Sequence, residues 1–401
     1  MAPQFLGAPE VVALVALLFT LAICLNGQWL GQRLSVMDIP DADRKRHAAP
    51  TPLVGGIAIL TALMMWQLGE LYLFPTGDLA VQKVLLLCGA GAAVMGFIDD
   101  QTPTYPAVRL LSLLIFVGIA FTIDPTLITA GLNWTSTIAT AMPSWAYLLL
   151  MSVSVIGLVN AANMADGQNG LLTGLFLIWA LCLSLVTTGE SYCPQILLGA
   201  AAIVFMFNLP GRLFLGDCGS YGVTFVIAVL SIRAHASGAV TVATVIVWFF
   251  IPVADCLRLM ITRRLSGRSP LSADRDHFHH RLQATFGTNR ALGIYLGTVA
   301  ATAILAATLP AVAPLCIAAL VIFYGWAIWR TAEARPQHQI VFRFDRLPGN
   351  SSSNSGSVVM LSKGAPDADE RPDFADAAYG VSAQDTAPLP YAERKAARQA
   401  G

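Results

Sequence analysis

Long apolar segments recur along this chain, and they constrain its fold more than any other feature of the sequence. Eleven of them, 14 to 24 residues long, lie between the N-terminus and about residue 330. A helix needs about 20 predominantly apolar residues to cross a bilayer. We therefore predict an all-α integral membrane protein with about eleven transmembrane helices. The predicted spans are residues 9–32, 53–71, 80–97, 107–123, 144–162, 170–188, 195–208, 219–233, 239–261, 290–309 and 311–330.

The charged residues support a membrane location and indicate an orientation. They make up 12% of the chain, about half of their share in soluble proteins. Lys and Arg occur in alternate loops, and cytoplasmic loops of membrane proteins carry such an excess. We therefore expect a periplasmic N-terminus and a cytoplasmic C-terminus, with an odd number of spans. The basic loops hold Arg33, Arg44, Lys45 and Arg46, then Arg109, then Arg212, then Arg263, Arg264, Arg268, Arg275 and Arg281, whereas loops 72–79, 124–143 and 189–194 hold none.

The chain ends and the cysteines add two further expectations. The first apolar run follows no basic segment and is too long for the core of a signal peptide, so we expect it to remain a helix. The seven cysteines are scattered and form no CxxC pair, which predicts buried thiols. From about residue 331 the sequence is polar, rich in Pro, Gly, Ser and Asp, and aperiodic. We expect a membrane domain over 1–330 and a disordered cytoplasmic tail over 331–401.

Polar motifs collect at the span ends that the charge pattern places in the cytoplasm. A carboxylate at the bilayer centre costs about 2.5–3.5 kcal/mol on insertion scales, so carboxylates at span ends are candidates for function. Transporters place their polar groups near the midplane, whereas these motifs share one interface. They are "GFIDDQ" with Asp99 and Asp100, "NAANMADGQNG" with Asn160, Asn163, Asp166 and Asn169, "FNLPGRLFLGDCGS" with Asn208 and Asp217, and "DRDHFHHRL" with Arg275, His277, His279 and His280.

A carboxylate-rich site beside basic and histidine residues suits phosphate chemistry on a cytosolic substrate. Adjacent aspartates repel unless a cation lies between them, and oxygen ligands favour Mg²⁺ or Mn²⁺ over zinc. Arginine and histidine can neutralise phosphoryl oxygens. Each motif alone is also typical of an ordinary turn or a solvated helix end. Their shared side, together with the basic run at 44–47, is the functional signal.

Five motifs together resemble a known family of membrane enzymes, the polyprenyl-phosphate N-acetylhexosamine-1-phosphate transferases. The likeness is greatest to the bacterial members that use UDP-N-acetylglucosamine and undecaprenyl phosphate. The family is related to the phospho-N-acetylmuramoyl-pentapeptide transferases of peptidoglycan synthesis. The resemblance covers about residues 35–285, through "RKRHAAPTPLVGG", "GFIDD", "NAANMADGQNG", "FNLPGRLFLGDCGS" and "RSPLSADRDHFHHRL".

The resemblance implies an enzyme of the bacterial inner membrane whose active site opens to the cytoplasm. A polyprenyl phosphate attacks the β-phosphorus of a UDP-N-acetylhexosamine, expected to be UDP-N-acetylglucosamine. UMP leaves, and the lipid-diphosphate sugar that starts a cell-envelope glycan stays in the membrane. Mg²⁺ is the implied cofactor, with Mn²⁺ as an alternative. Membrane lipid is a partner, no nucleic acid is expected, and the oligomeric state stays open, a homodimer included.

The same resemblance implies a role for each matching residue. Asp99 and Asp100 match an aspartate pair that activates the lipid phosphate or holds the metal, and Asp217 matches the metal-ligand aspartate. The implied substrate-binding residues are Lys45, Arg46 and His47 in the first loop, Asn160, Asn163 and Asp166 on the nucleotide side, Asn208, and Arg275, His277, His279 and His280 at the diphosphate.

Two positions depart from the family's pattern. A third aspartate usually follows four residues after Asp99, where this chain has Pro103. The second acid of the fifth-span loop is replaced by Asn169. Both changes remove negative charge and argue against a mechanism that needs a third carboxylate in the first motif. They are also compatible with a different sugar.

The histidine segment on its own permits more than one interpretation, because histidine clusters also bind zinc. It lies in the longest internal basic loop, on the same side as the carboxylate motifs. Neighbouring arginines disfavour protonated imidazole. We therefore predict a diphosphate clamp in which neutral His277, His279 and His280 donate N–H groups to phosphate oxygens, with the metal held by Asp217.

Three alternatives differ from this hypothesis in features of the sequence. A pentapeptide transferase has three consecutive histidines, whereas Phe278 interrupts them here. A transporter or ion channel would carry ionisable residues in mid-span. A zinc-dependent membrane hydrolase would need an HExxH-like motif, and the sequence has none.

A proline inside the ninth span predicts a kink, because Pro252 removes a helix hydrogen bond. A bent helix could open a groove for the polyprenyl tail, and a proline simply packed against its neighbours is an equal alternative. Asp255, three residues on, is expected either to be a structural partner or to hold a residue of the site in place.

Overall fold

Helices form nearly every segment of the computed structural model, which describes residues 7–40, 49–75, 78–129, 143–187, 192–269 and 276–332. The predicted tail beyond 332 and the predicted site residues Lys45, Arg46, His47 and Arg275 lie outside these ranges. In chain order the elements are α1 (Ala8–Leu25), α2 (Gly27–Leu34), β1 (Met37–Asp38), β2 (Thr51–Pro52), α3 (Gly55–Tyr72), α4 (Leu79–Val84), a π-helical turn (Leu85–Gly89), α5 (Ala90–Gln101), α6 (Pro106–Ile123), α7 (Thr126–Thr129), α8 (Ser144–Ala165), α9 (Leu171–Val186), α10 (Cys193–Asn208), α11 (Gly216–Ala236), α12 (Val242–Leu265), α13 (Phe278–Phe286), α14 (Thr288–Thr308), a 3-10 turn (Pro310–Val312) and α15 (Ala313–Arg330).

Eight helices are long and apolar enough to cross a membrane, which makes the chain a multi-pass membrane protein. The other three predicted spans are also helices, but α9 and α10 are shorter, and α3 carries buried Gln67 and Glu70. The first predicted span, 9–32, is wrong at its end, because α1 stops at Leu25 and the more polar α2 follows Asn26. All seven cysteines are buried and free, as predicted.

Helix α11 lies at the centre of the helices and is buried along most of its length. Small residues allow its neighbours to approach closely, as is common between membrane helices. A Cβ atom on Gly56 of α3 would lie 2.2 Å from the Cα of Gly219 in α11. A Cβ atom on Gly96 of α5 would lie 2.2 Å from the carbonyl oxygen of Asp217. These contacts fix the first turn of α11 against the ends of α3 and α5.

Three residues that the charge pattern places on one side of the membrane pair with one another. Arg233, at the end of α11, pairs with Asp78 at 2.7 Å and with Asp124 at 3.2 Å. These three residues come from or border the loops 72–79, 124–143 and 234–238, which the charge pattern places on one side. The carboxylate and histidine motifs lie at the opposite ends of the same helices.

Pro252 is packed against a neighbouring helix rather than left beside an open groove. A proline has no N–H, so the carbonyl four residues earlier loses its helical partner. That carbonyl belongs to Trp248, and the indole Nε1–H of Trp179 donates to it at 2.8 Å. Both tryptophans are fully buried. Trp179 of α9 thus satisfies the carbonyl that Pro252 frees in α12, which favours the packed-proline alternative at this position.

We expect Trp179→Phe to lower the free energy of unfolding by about 1–3 kcal/mol, because it leaves the Trp248 carbonyl buried without a donor. Pro252→Ala restores a helical N–H to that carbonyl. The double variant should therefore be more stable than the sum of the single effects by about 1 kcal/mol. Thermal unfolding in detergent measures all four proteins, and strictly additive effects would contradict this pairing.

Candidate active site

Asp100 caps the N-terminus of α11, although 117 residues separate it from Asp217 in the chain. Its Oδ1 accepts the backbone N–H of Asp217 at 2.8 Å, and its Oδ2 accepts that of Cys218 at 3.0 Å. A carboxylate at this position accepts hydrogen bonds from two helix N–H groups. The positive end of the helix dipole also stabilises its negative charge. Gly216 makes the approach feasible, since its φ is +76° and a Cβ atom there would lie 2.7 Å from Asp100 Oδ2.

Asp99 is buried, and both of its carboxylate oxygens accept hydrogen bonds. Oδ1 accepts the backbone N–H of Thr104 at 2.7 Å and its hydroxyl at 2.9 Å. Oδ2 accepts the Tyr221 hydroxyl at 3.2 Å and lies 3.1 Å from Nη1 of Arg109. The sequence indicated Arg109 only as a loop charge, and Thr104 and Tyr221 carried no signal of a role.

Asp217 is held from a third helix, because Nδ2 of Asn163 in α8 donates to its Oδ1 at 2.5 Å. The same amide lies 3.0 Å from the Ser220 hydroxyl. The carboxylates of Asp99, Asp100 and Asp217 are close enough to interact electrostatically. Among these three, Asp99 is the carboxylate that pairs with the Arg109 guanidinium.

The donor set fits a hard divalent cation, although the cluster is not a preformed cage. Within the described ranges, no three His, Cys, Asp or Glu side chains converge as a metal site. Mg²⁺ is usually bound by one or two carboxylates together with substrate phosphates, so such a cage is not required. Carboxylate oxygens match its ligand preference, and a bound cation would offset the repulsion among neighbouring carboxylates.

Asp166 follows α8 directly and adds a fourth carboxyl group on this side. Desolvation, followed by the charge of Asp100, raises the pKa of Asp166 from its ordinary value of 3.8 to about 7. Gly167 comes next and contacts the histidine segment. The Gln168 amide donates to the Thr288 carbonyl at 3.0 Å and so ties this loop to α14.

We expect Asp166→Asn to raise the free energy of unfolding above pH 7 by about 1–2 kcal/mol. The folded state disfavours the charged carboxylate, so the wild type loses stability as the pH rises from about 3.8 to about 7. Asparagine removes this loss and should give little gain near pH 4, where Asp166 is protonated. Melting temperatures from pH 4 to pH 8, measured in EDTA, test the trend. A gain at acid pH only would contradict it.

The histidine segment is anchored by ion pairs and by a buried aromatic ring. Asp276 accepts Nε and Nη2 of Arg281 at 2.7 Å each, and Nη1 of Arg258 in α12 at 3.0 Å. The Phe278 ring is fully buried, and its backbone N–H donates to Asp255 Oδ2 at 3.0 Å. Asp255 is therefore a structural partner, as the sequence predicted, whereas Arg258 was not singled out.

The three histidines do not form one uniform clamp. The His279 ring is 3% exposed, and a Cβ atom on Gly167 would lie 2.4 Å from its Nε2. That nitrogen has no hydrogen-bond partner among the described residues. Burial, followed by the charges of His280 and His277, lowers the pKa of His279 well below its ordinary value. His279 is thus buried against the Asp166 loop, and its expected contact with a diphosphate stays a prediction.

Two predicted asparagines do not join the cluster. Asn208 is buried, and its Oδ1 accepts Gly170 N–H at 2.8 Å and the Thr173 hydroxyl at 3.0 Å. Its Nδ2 donates to the Leu213 carbonyl at 3.0 Å. Asn160 donates to the Ile156 carbonyl of its own helix at 2.8 Å. Asn208 therefore uses its amide within the protein, and the expected substrate contacts of Asn208 and Asn160 stay predictions.

The end of α8 joins the two halves of the site. Asn163 contacts Asp217, and Gly167, one helical turn later, contacts His279. The carboxylate cluster and the histidine segment therefore border the same turn. The first loop also reaches this place, since Phe214 N–H donates to the Pro52 carbonyl at 2.9 Å.

Comparison with known proteins finds one family profile and several related enzymes. A protein-family profile described as glycosyl transferase family 4 matches residues 83–235, which include all three clustered aspartates. The chain is 29% identical over 314 residues to decaprenyl-phosphate N-acetylglucosaminephosphotransferase of Mycobacterium tuberculosis, covering 68% of this chain and 75% of that protein. It is 26% identical over 303 residues to undecaprenyl-phosphate alpha-N-acetylglucosaminyl 1-phosphate transferase of Escherichia coli, covering 71% and 79%. These matches confirm the resemblance predicted from the motifs, and both relatives are named as sugar-phosphate transferases.

Proposed function

We propose that this relative of the glycosyl transferase family 4 enzymes transfers N-acetylglucosamine-1-phosphate from UDP-N-acetylglucosamine to undecaprenyl phosphate. A phosphate oxygen of the lipid forms a bond to the β-phosphorus of the nucleotide sugar. The bond from that phosphorus to the oxygen shared with the α-phosphate breaks, and UMP leaves with the electron pair. The product is a lipid-diphosphate sugar.

The observation that carries this proposal is the convergence of Asp99, Asp100 and Asp217 at one end of the helices, one turn from the histidine segment. The second pKa of a phosphate monoester is about 6, so the lipid phosphate is largely ionised at neutral pH. The protein then has to position two anions and to offset their charge, rather than remove a proton. Arg109 and the histidine segment supply cationic or donor groups beside the carboxylates.

We further propose that Mg²⁺, or Mn²⁺ in its place, binds at Asp217 with Asp99 or Asp100 nearby. The neighbouring carboxylate oxygens support this, because a cation between them would offset their mutual repulsion. When bound, the ion would supply positive charge to the diphosphate oxygens. Asp100 would keep the first turn of α11, and thus Asp217, in place.

The proposed membrane arrangement has eleven helices, with the N-terminus in the periplasm and the site facing the cytoplasm of the bacterial inner membrane. The alternating basic loops support it, as do the two groups of helix ends. Cysteine accessibility tests it. A single cysteine introduced at Ser237, beside Arg233, should react with a membrane-impermeant reagent in intact cells. One introduced at Ser266, after α12, should react only after permeabilisation.

Purified protein with UDP-N-acetylglucosamine, undecaprenyl phosphate and Mg²⁺ should release UMP and form a labelled lipid. EDTA should abolish turnover and added Mg²⁺ restore it, because the carboxylate cluster needs a cation to accept an anionic substrate. A donor screen with other UDP-N-acetylhexosamines and with UDP-N-acetylmuramoyl-pentapeptide identifies the sugar. No turnover with any of them would contradict the proposal, and uptake of a solute without turnover would favour a transporter.

A further inference from the structure

Helix α2 differs in character from the membrane helix that precedes it. The apolar run of α1 ends at Leu25, whereas α2 carries two glutamines and Arg33. The backbone stays hydrogen-bonded across the junction, because Asn26 N–H donates to the Ala22 carbonyl and Leu30 N–H donates to the Asn26 carbonyl, both at 3.0 Å. α2 therefore continues α1 directly, at the point where the apolar sequence ends.

One exposed stripe runs along both helices and changes from apolar to aromatic to cationic. Its members are three or four residues apart, as neighbours on one helix face are. A rise of 1.5 Å per residue separates the last two members by about 6 Å, which is about the depth of one headgroup layer. Tryptophan is enriched where hydrocarbon meets this layer. The stripe thus has the order of a membrane surface, and it consists of Leu14, Leu18, Leu21, Leu25, Trp29 and Arg33.

Arg33 has the chemistry to bind an anion at the end of this stripe. It is exposed, and its Cζ atom lies 5.9 Å from the centroid of the Trp29 ring, within the range of a cation–π contact. Within the described ranges, no carboxylate pairs with Arg33. A guanidinium binds phosphate through its charge and its paired N–H donors. Arg33 beside the 60% exposed Trp29 therefore suits a lipid phosphate at the membrane surface.

The opposite face of α2 packs against the short hairpin of β1 and β2. Gly31 is buried there, and a Cβ atom on it would lie 2.7 Å from Cβ of Pro52. The Pro52 carbonyl accepts the N–H of Phe214 at 2.9 Å, just before the first turn of α11. The hairpin therefore joins α2 to the turn that carries Asp217.

The end of α2 is also held by the helix that carries the aspartate pair. Nε2 of Gln101 donates to the Leu34 carbonyl at 2.8 Å. Gln101 follows Asp100 directly, and Asp100 caps α11. A ligand that fixes α2 would thus limit the motion of both the Asp100 cap and the first turn of α11.

We propose that α2 binds the headgroup of an anionic phospholipid, held by Arg33 and Trp29 in the leaflet on the side of the active site. The Arg33 guanidinium donates to the phosphate oxygens. A zwitterionic lipid binds more weakly, because it carries a cationic group beside its phosphate. The bound lipid keeps α2 against the hairpin and Gln101, and so keeps the carboxylate cluster in place. Lipid binding does not rest on the proposed function, whereas its effect on turnover does.

Photocrosslinking locates and measures this binding. The full-length protein is placed in phosphatidylcholine nanodiscs with a small share of photoreactive phosphatidylglycerol, and labelled peptides are identified by mass spectrometry. We expect labelling of residues 25–34 that unlabelled phosphatidylglycerol removes, although phosphatidylcholine is already in excess. Arg33→Gln should lower this labelling about fivefold, the effect of one basic residue near an anionic membrane surface. Arg33→Lys, which keeps the charge, should retain most of it.

Arg290→Gln is the matched control, since Arg290 is also exposed and lies in the first turn of α14, which Gln168 ties to the site. It should leave the labelling of α2 unchanged. Equal labelling of α2 in wild type and Arg33→Gln overturns the proposal, as does photoreactive phosphatidylcholine that labels α2 equally well. Removal of the label by undecaprenyl phosphate but not by phosphatidylglycerol would assign the site to the acceptor lipid, and also overturns it.

Activity separates this inference from the proposed function. At saturating substrates, kcat of the wild type should rise by up to about fivefold as phosphatidylglycerol replaces phosphatidylcholine, since a ligand shifts a conformational equilibrium by no more than its differential affinity. Arg33→Gln should lose this dependence and keep the kcat measured in phosphatidylcholine. Labelling of α2 in a protein without transferase activity supports the lipid site and contradicts the proposed function alone. An active enzyme without labelling of α2 contradicts the lipid site alone.

Discussion

Replacing Asp217 with asparagine is expected to lower kcat for sugar-phosphate transfer by about 10²- to 10³-fold, the usual loss when one electrostatic group at a reacting centre is removed. Asp100 gives both oxygens to backbone N–H groups, and Asp99 receives donors on both of its own. Asp217 is held at Oδ1 by Asn163 and is the best placed of the three to bind a cation. Asparagine keeps its shape but removes its charge. The rate of UMP release at saturating substrates measures the effect.

Asp78→Asn is a suitable control for this experiment, because Asp78 pairs with Arg233 at the opposite helix ends. It should keep near wild-type activity. Expression and melting temperature of Asp217→Asn should stay close to wild type, since its hydrogen bond from Asn163 can be kept. A near-normal rate in Asp217→Asn would show that the metal assignment is wrong.

Replacing Gly216 with alanine is expected to lower kcat by about 10²-fold, the scale of a displacement of about 1 Å in an active site. The added Cβ atom would lie 2.7 Å from Oδ2 of Asp100, on a backbone with φ of +76°. Either the carboxylate moves away or the first turn of α11 shifts, and both outcomes displace Asp217. The free energy of unfolding should also fall by about 1–3 kcal/mol, because a non-glycine residue is strained at this φ.

Gly238→Ala separates strain from the displacement of the carboxylate. Gly238 also has a positive φ, +79°, but a Cβ atom there meets no heavy atom within 4 Å. It should lose a similar amount of stability and keep its activity. Gly118→Ala, inside α6 with no contact within 4 Å, should keep its activity and lose no stability, because alanine favours the helix more than glycine does. Equal losses of kcat in Gly216→Ala and Gly238→Ala would show that the cap by Asp100 is not important for catalysis.

Much of the fold could be predicted from the sequence because membrane helices are encoded by local apolar runs. Each of the eleven predicted spans contains a helix, and eight of these helices are long and apolar enough to cross a membrane. The exceptions arise where polar residues interrupt a run. Asn26 separates α1 from α2, and Gln67 and Glu70 make α3 more polar than a typical span.

The candidate site was predictable in its members and less so in their arrangement. Motif order brought Asp99, Asp100, Asp217 and Asn163 to one side, and the structure places them in contact. The roles of Asn208 and His279 were not predictable. Both lie in motifs that indicate function. In the structure the Asn208 amide hydrogen-bonds within the protein, and the His279 ring is buried.

The sequence by itself therefore determined a multi-pass helical protein that resembles the sugar-phosphate transferases, and it placed the carboxylate motifs together. The length of the apolar runs, the alternation of basic loops and the order of the motifs are read directly from the sequence. They do not depend on how the helices pack. Only the tertiary structure decided that Asp100 caps α11, that Trp179 satisfies the carbonyl freed by Pro252, and that Asp255 faces His277. Those contacts join residues from different helices or loops, and hydrogen bonds depend on distances of a few tenths of an ångström. The close approach of neighbouring helices at glycines such as Gly56 and Gly96 sets these distances. The helical pattern of a sequence carries no information about distances between helices.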